Sequence, residues 1–165
     1  MLKYEINDVV LYGLSGACVI TEIGTLSFAG PDKIYYSLKP LADNRSTIYV
    51  PVTKEADIIR KVINKAEGQK IIDALNGIEC DNSSITRDAC DPIIKSGDNL
   101  AVAKLIKNIR NLRKENKKIH KTLNIQEERI LQDAERVFFS ELAAALDMPM
   151  NEAVLSYMGY LDSVE

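Results

Sequence analysis

Residues 7–23 read Asn-Asp-Val-Val-Leu-Tyr-Gly-Leu-Ser-Gly-Ala-Cys-Val-Ile-Thr-Glu-Ile, two apolar, β-branched runs either side of a glycine-bearing turn. Residues of that kind fit the pleated face of a strand, and Gly13 with Ser15-Gly16 marks the turn between Asp8–Leu11 and Ala17–Ile23. Working outward, Lys33–Leu38 and Thr47–Val50 repeat the same composition, and Asp57–Ile63 is a fifth candidate strand. Gly30-Pro31-Asp32 and Ala42-Asp43-Asn44-Arg45 supply the intervening turns. Five short strands in some sixty residues, with no helical period, predict a small SH3-like or Tudor-like barrel. Curling suits so short a sheet, because closure limits the edges that would template aggregation.

The pattern changes near residue 64. Glu67–Leu75 carries Ile71, Ile72 and Leu75 at helical spacing and stops at Asn76-Gly77. Residues 78–92 are polar and turn-rich, fitting a loop or a weak helix. From Asn99 to about Ile119, Val102, Leu105, Ile106, Ile109 and Leu112 form an i, i+3, i+4, i+7 stripe. Asn124 with Glu127 has the form of a capping box, opening a helix with Ile130, Leu131, Ala134, Val137, Phe138, Leu142 and Ala145 inward. Asp147-Met148-Pro149 should end it, and Asn151–Leu161 completes a helical half. The predicted fold is therefore α+β in two domains: a β-barrel over residues 1–63 and an all-α unit over 64–165.

The 165 residues are 46% apolar and carry a formal net charge of −3, which conceals a strong segregation. Residues 1–64 sum to 0, 65–98 to −3, 99–121 to +7 and 122–165 to −7. The basic block comprises Lys104, Lys107, Arg110, Arg113, Lys114, Lys117, Lys118 and Lys121. Two readings of it stand side by side. It is either a solvated helix face balanced by the acidic segment that follows, or a face for phosphates. A contact of the second kind would position the protein on DNA without reading bases, and salt would weaken it steeply.

Catalysis finds little support. Gly13-Leu14-Ser15-Gly16 is neither a nucleophile elbow nor a phosphate loop, since it joins two strands. His120 lies at a lysine-rich helix end, and Glu127, Glu128, Asp133 and Glu135 are carboxylates of the sort that line exposed helix faces. Three scattered cysteines, Cys18, Cys80 and Cys90, and one histidine make no metal-ligand spacing. No enzyme, metal, cofactor or small-molecule substrate is expected. The first residues lack the long apolar core of a secretory signal and no stretch suits a membrane span, so a cytoplasmic protein with no membrane partner is expected.

The order of these pieces resembles the CarD family of bacterial transcription regulators, whose barrel is shared with transcription-repair coupling factors as an RNA-polymerase-interacting domain. The resemblance rests on Asn7-Asp8-Val9-Val10-Leu11-Tyr12, Gly16, Ile23, Gly30, Tyr35 and Val50-Pro51-Val52. In the helical half it rests on Ser96-Gly97-Asp98, Val102-Ala103, Leu105-Ile106, Leu123, Glu127-Glu128-Arg129 and Leu131. It implies a barrel that binds the RNA polymerase β subunit and helices that touch promoter DNA near the opening bubble, tuning open-complex stability. A family tryptophan acts there as a minor-groove wedge. This chain has no Trp, and counting back from Ser96-Gly97-Asp98 puts Ser83 or its neighbours at the wedge position, beside Glu79, Asp81, Asp88 and Asp91. Leu26 and Tyr49 stand where relatives commonly present arginines to the polymerase. The expected polymerase-binding residues are thus Leu26 and Tyr49, and the expected DNA-binding residues Arg110, Arg113, Lys114, Lys117 and Lys118. The alternative is an adaptor that binds polymerase or another partner without touching DNA.

Overall fold

The computed structural model describes residues 2–43, 45–54, 59–81 and 83–162. Strands β1 (Val9–Tyr12), β2 (Gly16–Thr25), β3 (Ile34–Pro40), β4 (Ile48–Pro51) and β5 (Ile59–Lys61) form one antiparallel sheet in the order β4-β3-β2-β1-β5. The fifth strand is shorter than its sequence pattern, and Asp57 and Ile58 lie outside the described residues. The register of β2 against β3 shifts between Ile20 and Glu22, leaving Thr21 as the extra residue of a bulge. Its hydroxyl donates to the Ser37 carbonyl at 3.2 Å. A bulge sharpens the local twist, and the sheet curls here into a half-barrel.

Alternation along the strands builds two cores. Val10, Cys18, Ile20, Tyr36, Leu38, Val50 and Ile59 point into the concave side with Tyr4. Leu11 and Ala17, one residue out of phase with Val10 and Cys18, belong instead to the core of the helices. A strand pair covered on both faces reads as an unbroken apolar run, which is why Val-Val-Leu and Gly-Ala-Cys-Val-Ile lack polar interruptions. Burial pushes the Cys18 thiol up to about 12, and it raises Cys90 as well.

The helices are α1 (Lys65–Ala74), α2 (Arg87–Lys95), α3 (Asn99–Lys118), α4 (Ile125–Leu146) and α5 (Met150–Asp162). Each of the first four begins on a side chain that accepts a backbone N–H: Asn64, Thr86, Asp98 and Asn124. The Asn124–Glu127 capping box is present, and Asp147 ends α4 in the left-handed region at φ 52°. The segment 78–92 divides differently from its polarity, because Thr86 nucleates a helix through Arg87–Lys95. Cys90 and Ile94 on that helix are buried in the helical core. Helix α4 is the hub: Phe138 and Phe139 meet Tyr157 of α5 edge-to-face, and the Tyr157 hydroxyl donates to the Ala103 carbonyl of α3 at 2.9 Å. Among the described residues no helix is long and apolar enough to cross a membrane.

The half-barrel sits directly on α4. Cross-strand pairing aligns Ala17, Leu11 and Arg60 in one row on the helix-facing side of the sheet. Ser140 accepts from the Ala17 N–H at 2.8 Å, and Arg136 donates to the Leu14 carbonyl at 3.2 Å. Gly16, at φ 76°, approaches so closely that a Cβ there would fall 2.4 Å from Ser140 Oγ and 2.9 Å from the Arg136 carbonyl oxygen. Both guanidinium nitrogens Nη1 and Nη2 of Arg60 donate at 2.9 Å to the two oxygens of Glu141, which is wholly buried. The Ile63 N–H adds a third donor at 3.2 Å. Gly97, at φ 82°, lies against the same guanidinium, where a Cβ would meet Arg60 Nε at 3.4 Å. The Ser96-Gly97-Asp98 motif thus closes over the ion pair as well as opening α3.

Removing one partner of a buried, bidentate pair leaves a desolvated charge without compensation. Arg60→Met should lower stability in urea by about 3 kcal/mol. Adding Glu141→Leu should recover most of that loss, whereas a double variant as unstable as the sum of the singles would show that the pair is not coupled.

Candidate functional site

The first candidate surface lies at the far edge of the sheet from α4. Strand β4 pairs with β3 through Tyr36–Val50, Ser37–Tyr49 and Leu38–Ile48 and forms the sheet edge. Val50 turns into the half-barrel core, so Tyr49 necessarily turns out, and it is 44% exposed. Across it lies Phe28, from the turn after β2, with ring centroids 5.7 Å apart in an edge-to-face contact and 74% of the phenylalanine exposed. Leu26, half-buried, starts the same turn and accepts from the Ala29 N–H at 3.1 Å. Tyr49 and Phe28 therefore form one exposed aromatic pair, Leu26 begins the turn that carries Phe28, and Phe28 is an exposed aromatic that the sequence did not single out with Leu26 and Tyr49. Its signal was an aromatic in Ser-Phe-Ala-Gly-Pro, a turn where burial has no claim on it.

The second candidate is the basic block on α3. Val102, Leu105, Ile106 and Ile109 are buried, so the charges necessarily face outward. They do not face outward alike. The Lys104 ammonium pairs with Asp81 at 2.7 Å, Lys107 donates to the Ile78 carbonyl, and Asn108 accepts from the Asp81 N–H at 3.0 Å. These contacts strap the acidic 78–81 segment along the first half of α3. Arg110 lies between helices, its Nε donating to Glu135 of α4 at 2.8 Å. Arg113, Lys114, Lys117, Lys118 and Lys121 stand exposed at the C-terminal end, with Lys118 also 3.1 Å from Glu115. The carboxylates of α4 are less solvated than their pattern suggests, since Asp133 meets both Arg87 and Arg136 at 2.8 and 3.0 Å.

Near the wedge position, Ser83 turns back on its own strap: its N–H and hydroxyl both donate to Asp81 Oδ1. Ile85 packs against the helical core. Neither is presented as an exposed apolar side chain. Among the described residues, no three of His, Cys, Asp and Glu gather to hold a metal ion.

Two family models account for most of this architecture. Residues 4–63 match the CarD-like/TRCF RID domain, and residues 86–156 match the CarD C-terminal domain. The chain belongs to the CarD family. It is a transcription-related protein that interacts with RNA polymerase, in a family of non-enzymatic transcription regulators. No curated protein matches the sequence.

The strap gives this CarD-family chain a coupled pair of charges, Asp81 and Lys104. Hydrogen bonds from Lys104 and Ser83 hold the Asp81 carboxyl well below the usual carboxylate range, and Asp81 in turn raises Lys104. A folded-state pKa below the unfolded value stabilises above the ordinary aspartate pKa of about 3.9 and is lost as pH falls through the depressed one. An NMR titration should find Asp81 ionised below the ordinary range, and Lys104→Met should move it back toward normal. An unshifted Asp81 in the parent protein would mean the strap is not held in solution.

Proposed function

We propose that the chain is a non-enzymatic regulator of transcription initiation that docks on the β subunit of RNA polymerase through Leu26, Tyr49 and Phe28. We take residues 1–63 as the docking unit and 64–165 as the helical one, acting in the cytoplasm where the polymerase works. The observation that carries the reading is the exposed aromatic pair of Tyr49, on edge strand β4, with Phe28 from the turn after β2. An aromatic pair beside unpaired edge backbone offers both a hot spot and hydrogen-bonding strand groups to a partner. Because the edge is apolar where relatives present arginines, docking here depends on shape and burial, and salt should affect it weakly.

Docked in this way, the helical unit carries Arg113, Lys114, Lys117 and Lys118 toward promoter DNA, with Arg110 anchored behind them by Glu135. The contact is with backbone phosphates and bears on open-complex stability only by its difference in affinity between closed and open forms.

A second reading, an adaptor that never touches DNA, is favoured by one observation. Lys104, Lys107 and Arg110 are engaged within the protein, so only part of the basic block remains for a polyanion.

Co-purification with a fragment of the polymerase β subunit tests the docking edge. Leu26→Glu and Tyr49→Glu should each reduce recovery at least about tenfold, since each buries a charge at an apolar contact. Equal recovery of all three proteins would place docking elsewhere, and no recovery of the parent would remove the β-subunit assignment.

Gel-shift titrations across salt concentrations separate the DNA reading from the adaptor. Lys114→Glu with Lys118→Glu should abolish binding at moderate salt and flatten the salt slope by about 2. No shift by the parent protein at low salt would leave the adaptor.

A further inference from the structure

The acidic stretch between α1 and α2 is fastened to α3 unevenly. Ile78 and Ile85 pack against the helical core and pin its two ends. Between them Glu79, Cys80, Asp81, Ser83 and Ser84 are exposed and belong to no helix or strand. What holds Asp81 down is polar. Its carboxylate meets Lys104 Nζ at 2.7 Å and accepts from the Asn108 amide at 2.9 Å, while its N–H donates to Asn108 Oδ1 at 3.0 Å. The Lys107 ammonium donates to the Ile78 carbonyl, a neutral partner that leaves its charge uncancelled.

Lys104, Lys107 and Asn108 are spaced i, i+3, i+4, so one face of α3 supplies all three. Asn108 is buried and engages Asp81 reciprocally. The ion pair itself lies at the surface, with 45% of the lysine side chain and 39% of the aspartate exposed. An exposed pair adds little to stability, so an outside anion can take the place of the carboxylate at small cost. Two ammonium groups and an amide N–H on one helix face form the kind of donor set that holds a phosphodiester. The same face continues through Asn111 to Lys114 and Lys118, a stripe of about 21 Å.

We propose that Asp81 is an internal stand-in for a DNA phosphate: it occupies a cradle made by Lys104, Lys107 and Asn108 and so holds down the affinity of the free protein for duplex DNA. The proposal rests on the DNA-contacting reading above and adds a built-in restraint to it. Affinity for a site that is open only part of the time falls by the open fraction. With the strap closed the cationic stripe is confined to Lys114 and Lys118; when residues 79–81 lift, it extends to Lys104. Ser83 belongs to the latch, since its N–H and hydroxyl donate to Asp81 Oδ1 at 3.0 and 2.5 Å and hold the carboxylate in position. A strap that serves only the fold is the competing account, and it predicts no coupling between Asp81 and the two lysines in DNA binding.

The test uses the full chain and a labelled duplex, with anisotropy read from about 50 to about 200 mM salt. Asp81→Ala should bind about tenfold more tightly at the low-salt end and steepen the log–log salt slope by about 1, the contribution of one further phosphate. Asp88→Asn, an equal change in net charge at another exposed position, should shift affinity by less than about twofold. Lys104→Ala with Lys107→Ala should leave the parent nearly unchanged but return Asp81→Ala to the parent affinity and slope. Circular dichroism should show unchanged folding, and Asp81→Asn, of nearly equal volume, repeats the test if Asp81→Ala unfolds. The inference is overturned if Asp81→Ala binds like the parent, if Asp88→Asn gains as much, or if the lysine pair costs the same in both backgrounds. When Lys114→Glu with Lys118→Glu still abolishes binding in any of these cases, DNA contact stands and only the restraint falls. If neither the parent nor Asp81→Ala binds duplex at low salt, both fall.

Discussion

A carboxylate with no exposed surface survives in this protein because three donors from the other module meet it. Glu141 sits on the hub helix, and the bidentate Arg60 guanidinium and the Ile63 N–H reach it from the end of the half-barrel. Taking a carboxylate out of water is costly, and attraction to its partner offsets the cost only in good geometry. Any rotation of the sheet against α4 would therefore unpair the carboxylate. The close seat of Gly16 on Ser140 and Arg136 adds a steric limit in the same place. Sheet and helices are joined as one oriented body.

That junction also explains why the β4 edge is left uncovered by α4. The helix covers the β2–β1–β5 end of the sheet, and β4 is the strand furthest from it. An apolar edge such as Phe28 and Tyr49 would be an aggregation hazard on an isolated protein. RNA polymerase is the partner the family supplies, and the proposed docking would cover this edge.

The basic helix has a division of labour along its length. Its first half holds the acidic 78–81 strap and the α4 carboxylates, so those charges are largely cancelled within the protein. Its second half extends past the packed core, where Arg113 to Lys121 meet water. A net charge of +7 over residues 99–121 is thus an overestimate of what a polyanion would meet.

The strand runs, the helical stripes and the Asn124–Glu127 cap were legible in the sequence because each follows from contacts a few residues apart. Periods of 2 and 3.6, glycine turns and a side chain reaching its own helix end need no knowledge of the rest of the chain. Family membership was legible for the same reason, through short motifs kept in order. The double burial of β1 and β2, the strap that consumes Lys104, and the pairing of Arg110 with Glu135 were not, since each joins residues far apart. Glu141 is the clearest case. Its place on the inward stripe of an apolar helix, with Phe138 and Ala134, signals that a buried charge must have a partner. That the partner is Arg60, 81 residues earlier, emerges only when the sheet is laid on the helix, because electrostatic pairing depends on distance in space and leaves no period in the chain.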